Sequence, residues 1–214
     1  MDYKVYLFDF DGTLVDSMPY WSRKVLRILE QEGIEYPPDI LKIVTPLGDA
    51  GTARYFQEKL GLRLSLEEIF RRMDEYAIPQ YRDVIPLKPG VKEAMIRLKE
   101  AGCSIHVLTA SPHKLLDDCL KRNGIYDLFG KVWSCDDFHT TKADPDIYVR
   151  AAACLGVKPE EVVFLDDNIH AVRTAKEAGM AVAGVFDPSG VEFAEELRQL
   201  AHWYVDTFED FTPL

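Results

Sequence analysis

No apolar run in the 214 residues approaches the ~20 that a membrane span requires. The first such stretch, Val5 to Phe8, meets an aspartate after four residues. It is too short for the apolar region of a secretory leader, and no small-residue cleavage site follows. The four cysteines, Cys103, Cys119, Cys135 and Cys154, include no Cys-x-x-Cys pair. That disfavours a zinc or redox centre and leaves them as reduced, small apolar residues. These absences point to a cytoplasmic protein. Positive charge is also scarce: 25 Lys and Arg face 36 Asp and Glu, a formal net charge of −11. A surface of that sign repels nucleic-acid phosphates and anionic membranes. No Walker-type Gly-Lys-Ser/Thr occurs, and Gly48-Asp49-Ala50-Gly51 lacks the glycine spacing and leading strand of a dinucleotide fingerprint. The histidines show no metal-type spacing; His106 is expected to be packed in a strand, and His113, His139, His170 and His202 to be exposed.

What is present is an ordinary globular composition, 47% apolar and 11% aromatic, in a chain long enough to bury roughly 70% of its unfolded surface. Tyr3 to Phe8 reads as a buried parallel strand. A helix follows, with Ser17 as its N-cap, Pro19 in its first turn, Trp21, Val25, Ile28 and Leu29 at helical spacing, and Gly33 at its end. Residues 34–85 carry no strand signal, only helical patterns interrupted at Pro37-Pro38, Pro46-Leu47-Gly48, Gly61 and Pro79. From residue 86 the rhythm alternates. Helices are expected over Val91 to Ala101, Lys114 to Arg122, Pro145 to Leu155 and Ala171 to Ala178. Strands are expected at Ser104 to Leu108, Val132 to Ser134, Val162 to Leu165 and Met180 to Val185. This is the pattern of an α/β fold, a Rossmann-like parallel sheet with helices on both faces. Residues 1–16 and 86–214 form that domain, and 17–85 an inserted all-helical one.

In an open α/β sheet the site lies beyond the carboxyl ends of the strands. Asp9 and Asp11 follow the first strand, Thr109-Ala110-Ser111 the second, and Asp166-Asp167 the fourth, while Lys142 precedes the helix leading into the fourth. Four carboxylates with one lysine and a small hydroxyl loop suit a hard divalent cation, and Mg²⁺ prefers such oxygen ligands. The Gly12-Thr13 and Thr109-Ala110-Ser111 turns offer backbone N–H groups to an anion.

The segment Asp9-Phe10-Asp11-Gly12-Thr13-Leu14-Val15-Asp16-Ser17 resembles the first motif of the haloacid dehalogenase superfamily. Thr109 resembles its second motif, Lys142-Ala143-Asp144-Pro145-Asp146-Ile147-Tyr148 its third, and Phe164-Leu165-Asp166-Asp167-Asn168 its fourth. The motifs occur in order, and the insert lies between the first two, as in the subgroup with a helical cap. Ala143 stands where the family usually has proline, a change that bears on loop geometry more than on chemistry. The resemblance implies a phosphatase of a small phosphorylated metabolite. Asp9 would be the nucleophile, forming an aspartyl-phosphate, and also a Mg²⁺ ligand. Asp11 would act as general acid and then base, its backbone carbonyl also on the metal. Asp167 would be a direct ligand, with Asp166 acting through a metal-bound water or by pairing with Lys142. Lys142 would offset the crowded negative charge, and Thr109, the Ala110 N–H and the Gly12 region would hold the phosphoryl oxygens. The cap would open and close on hinges near Leu14 to Ser17 and Ile85 to Gly90. A monomer is the default.

Blander readings stand beside these. The aspartates suit turns and helix caps, Lys142 suits a solvated loop, and Ser111 suits the cap of the following helix. Asp16 divides evenly between capping and substrate. Arg54, after a Gly-rich turn between helices, is more readily a connector's neighbour than a substrate contact, and Trp21 more readily core than platform. Among rival activities, a β-phosphoglucomutase-type sugar-phosphate mutase would carry a histidine where Trp21 stands. A dehalogenase would lack Asp11. A phosphonate hydrolase would need an amine such as Lys24, Lys42 or Lys59. A non-catalytic binding protein on the same fold should have lost a site residue, and none is missing.

Overall fold

The computed structural model describes residues 3–214, Pro46 by its backbone alone. They divide into two compact units, residues 3–16 with Ile85–Leu214, and Ser17–Val84. Ile85 belongs to the first: it is fully buried, and its carbonyl accepts from Asn123 Nδ2 at 3.3 Å and from the Arg122 guanidinium.

The first unit begins with β1 (Val5–Phe8). The helical unit then supplies α1 (Met18–Gln31), α2 (Ile40–Val44), α3 (Gly48–Leu60) and α4 (Leu66–Asp83). The chain continues with α5 (Val91–Glu100), β2 (Ser104–Thr109), α6 (His113–Arg122), β3 (Lys131–Ser134) and α7 (Asp146–Cys154). It ends with β4 (Val162–Asp166), α8 (Ile169–Glu177), β5 (Ala181–Val185), α9 (Ala194–Leu200) and β6 (Trp203–Val205). The six strands form one parallel sheet in the order β3-β2-β1-β4-β5-β6. The chain adds strands to one side of β1, then returns to add the others on its far side. The carboxyl ends of β1 and β4 therefore sit at a switch point, where α/β sheets build their sites. Register sharpens this: Phe8 pairs with Leu165 and with Val107, so Asp9 and Asp166 leave adjacent strands level with each other. α9 and β6 lie beyond the elements read from the sequence; three residues are too few to show a strand's alternation.

The helical unit has its own core, in which Val25, Ile28 and Leu29 of α1 pack with Val44, Phe56, Ile69 and Met73. Three expectations fail here. Ser17 holds the N-cap position of α1, but its backbone is helical and its hydroxyl makes no cap bond; its Oγ is buried without a partner among the described residues. Gly48-Asp49-Ala50-Gly51 is no interhelical turn but the first turn of α3, and Arg54 lies exposed on that helix. Pro79 does not end α4, which continues to Asp83. Losing one helical bond costs about 3 kcal/mol. The buried row Ile69, Met73, Ala77, Tyr81 offsets it, at about 1.5–3 kcal/mol for each large side chain. Ser65 caps α4 as a serine should, accepting from Glu68 N at 3.1 Å. Cys103, Cys119 and Cys135 are buried and Cys154 is exposed, all as free thiols. Burial pushes the Cys119 and Cys135 thiols up to about 11. Among the described residues no helix is long and apolar enough to cross a membrane.

Candidate active site

Asp9 continues β1, its N–H donating to Leu165 O at 2.8 Å. Successive side chains of an extended segment point to opposite faces. Phe10 is buried in the core while Asp9 and Asp11 flank it. The chain then turns sharply, Leu14 N and Val15 N both donating to Phe10 O. Gly12 sits at φ +76°, and a Cβ there would lie 2.5 Å from Asp167 Oδ2. Only glycine lets the turn come this close to the carboxylate. The Gly12 N–H is turned to Val15 O at 3.0 Å. That corrects the expectation of an anion donor at this position: the role of Gly12 is close approach, not donation.

Asp166 and Asp167 end β4. Asp166 accepts from Asn168 N at 2.7 Å through Oδ1 and from Lys142 Nζ at 2.8 Å through Oδ2. Thr13 Oγ1 donates to Asp167 Oδ1 and accepts from Asp167 N, both at 3.1 Å. Asn168, not either aspartate, caps α8, accepting from His170 N at 2.9 Å. One carboxylate oxygen from each of Asp9, Asp166 and Asp167 lies within 4.8 Å of the others. The Asp11 carboxylate stands outside this trio; its Oδ2 accepts from Ser111 Oγ at 2.5 Å. Ser111 is thus no cap for α6, whose N-cap position is Pro112. Its N–H donates to Thr109 Oγ1 at 3.0 Å, which leaves the buried Thr109 hydroxyl its own proton to give. Ala110 between them is exposed.

Lys142 Nζ bridges Asp9 Oδ1 and Asp166 Oδ2. Its loop needs no proline at 143, because the Ala143 N–H makes a bond to Thr141 Oγ1, 3.3 Å, that proline could not make. Asp144 adds two more, accepting from Thr140 Oγ1 at 2.9 Å and Asp146 N at 3.0 Å. The hydroxyl of buried Tyr148 faces the Lys142 carbonyl at 3.1 Å.

Electrostatics mark this cluster off from the surface acids. Burial pushes the Asp9 carboxyl up to about 7; Lys142 opposes the rise, and Asp166 and Asp11 add to it. Asp167 is raised well above its ordinary range by burial, then by Asp166, Asp9 and Asp187, with Lys88 holding it down. Burial works against the charge of Lys142, but Asp166 and Asp9 more than offset it and lift its pKa. The trio is short of positive charge, and its oxygen-only donors suit a hard cation. The residues present therefore fit a bound divalent metal.

Sequence reasoning missed Lys88 and Asp187. Lys88 Nζ donates to Gly12 O at 2.6 Å, Phe186 O at 2.5 Å and Asp187 Oδ2 at 3.1 Å. Two of these acceptors are backbone carbonyls, which no side-chain motif reports. His106 is packed as expected, stacked on Trp133, with burial pulling it down to about 4. His113 is half-exposed and lies 2.9 Å from both Asp117 and Asp137. In the helical unit Lys24, one of the three amines weighed for a phosphonate hydrolase, is buried and paired with Asp49 at 2.6 Å.

The model of the haloacid dehalogenase-like hydrolase family matches residues 3–179. Hexitol phosphatase B from Escherichia coli K12 is 30% identical over 179 residues, covering 81% of this chain and 79% of that protein. Phosphoglycolate phosphatase from Psychrobacter arcticus is 26% identical over 224 residues, covering 100% of this chain and 95% of that one. The crystal structure of CbbY from Rhodobacter sphaeroides in complex with phosphate superposes with a TM-score of 0.81 at 24% identity, covering 97% and 96% of the two chains. At that identity the likeness is one of fold.

Proposed function

This chain belongs to the haloacid dehalogenase-like hydrolases, as an enzyme of phosphate monoesters, and on that premise we propose that it is a Mg²⁺-dependent phosphatase of small phosphorylated sugars and sugar-derived acids. The observation that carries this reading is the convergence of Asp9, Asp166 and Asp167, the first two buried and bridged by Lys142. The similarity to a hexitol phosphatase and a phosphoglycolate phosphatase supports the substrate class.

Asp9 attacks the phosphorus, the ester P–O bond breaks, and the leaving alcohol oxygen takes its proton from Asp11. Water then attacks the aspartyl-phosphate, gives a proton to Asp11, and inorganic phosphate departs. Ser111 orients Asp11 for both transfers through its hydroxyl. Lys142 favours the ionised form of Asp9 against its burial and reduces repulsion between it and the phosphoryl oxygens, which the Thr109 hydroxyl and the Ala110 amide meet from the β2 side. Mg²⁺, held by Asp9, Asp166 and Asp167 with the Asp11 carbonyl, would neutralise charge on the phosphoryl group in flight. Residues Ser17–Val84 take the part of a cap that selects the rest of the substrate.

p-Nitrophenyl phosphate with Mg²⁺ tests the chemistry. The enzyme should release nitrophenol, and Asp9→Asn should show no turnover while keeping a native circular dichroism spectrum; turnover at the original rate in that variant would refute the mechanism. A panel of phosphorylated sugars and acids, read by inorganic phosphate release, then assigns the substrate and separates hydrolysis from phosphoryl transfer within a sugar.

A further inference from the structure

A lysine ammonium has three protons to donate, and Lys88 spends all three inside the first unit. One goes to the Gly12 carbonyl at 2.6 Å, one to the Phe186 carbonyl at 2.5 Å and one to Asp187 Oδ2 at 3.1 Å. The side chains are 14% and 2% exposed for Lys88 and Asp187. Asp187 is occupied on its other oxygen, which accepts from Ser189 N at 2.9 Å and Ser189 Oγ at 2.6 Å. The backbone of Lys88 is fastened as well: its N–H donates to Leu14 O, and Asp16 N donates to Pro86 O, each at 3.0 Å. Segment 86–88 is thus zipped to 14–16.

β4 lies between β1 and β5 in the sheet. Lys88 therefore ties the exit of β1, at Gly12, to the exit of β5, at Phe186 and Asp187, across the end of the strand that delivers Asp167. The acceptor it holds belongs to the Gly12–Thr13 peptide. Gly12 packs against the Asp167 carboxylate, and the Thr13 hydroxyl bonds that carboxylate directly. Displacing this peptide displaces both supports of Asp167.

We propose that Lys88 is a positioning residue for the metal site: through the Gly12–Thr13 peptide it holds Asp167 in place, and so sets the affinity for the cation without touching metal or substrate. This rests on the reading of Asp167 as a metal ligand. Partners of metal ligands change affinity by about 10–100-fold when removed, and Lys88 stands one peptide further out, at the lower end of that range.

Calorimetric titration of the metal-free protein with Mg²⁺ is the test, alongside steady-state kinetics on p-nitrophenyl phosphate. Lys88→Met should weaken Mg²⁺ binding by about 10-fold and shift the Mg²⁺ dependence of turnover by the same factor. KM for the ester at saturating Mg²⁺ should stay unchanged. Lys88→Met/Asp187→Asn removes the buried carboxylate that the single variant strands, and should show the same loss. Unaltered Mg²⁺ affinity in either folded variant overturns the proposal, as does failure of both to fold, which would assign Lys88 to stability. Wild-type protein that binds no Mg²⁺ would instead refute the metal reading itself, a different and separately visible result.

Discussion

An ionised Asp9 is a cost to the metal-free fold. Its carboxyl sits at about 7, raised from an ordinary 3.8 chiefly by burial. Between those values the folded chain holds a proton that the unfolded chain has lost, so stability falls as pH rises through the window, and the whole penalty stands above about 7. Asp9→Asn should therefore melt higher than wild type in EDTA at pH 8, by about 2–4 °C or more, the shift that ~1 kcal/mol makes in a chain of this size. The gap should close toward pH 4, and added Mg²⁺ should narrow or reverse it by stabilising only the wild type. A thermal melt at two pH values with and without Mg²⁺ checks both parts. At this scale the sequence was legible where motif side chains cluster. Asp9, Asp166, Asp167 and Lys142 stand together as their motifs imply. It was opaque where a backbone carbonyl is the partner, as for Lys88, and where a hydroxyl had two plausible uses. Ser111 serves Asp11 rather than a helix end because proximity across the sheet outweighs a local cap.

Elements were readable where periodicity ran long. The apolar runs of β1, β2, β4 and β5 and the stripes of α1 and α5 appear close to where their sequences put them. Punctuation misled where tertiary burial overrides it, at Pro79 inside α4, and where an element is too short to show a period, at β6. α4 offers a clean measurement of its start. Ser65 accepts the Glu68 amide, so Ser65→Ala should cost about 1 kcal/mol, seen as a lower urea midpoint with an unchanged m-value. Ser17→Ala, which removes a hydroxyl that makes no cap bond, should be neutral or stabilising in the same assay.

For the whole molecule the net charge of −11 and an anionic substrate are at odds. On the proposed mechanism the chain repels the phosphoester at a distance, and the cation and Lys142 attract it once it is near. Raising KCl from ~10 to ~150 mM shortens the screening length from about 30 to 8 Å. At saturating Mg²⁺, kcat/KM should then rise rather than fall; a decline would mean that positive potential dominates the approach.

Three of the four thiols are buried, and burial raises two of these, so reagents that attack thiolates should find Cys154 almost alone. That residue closes α7, the helix that begins just after the Lys142 loop. A single maleimide dye would thus mark a unique position without mutagenesis, giving a fluorescent report of motion in the helix nearest the bridging lysine.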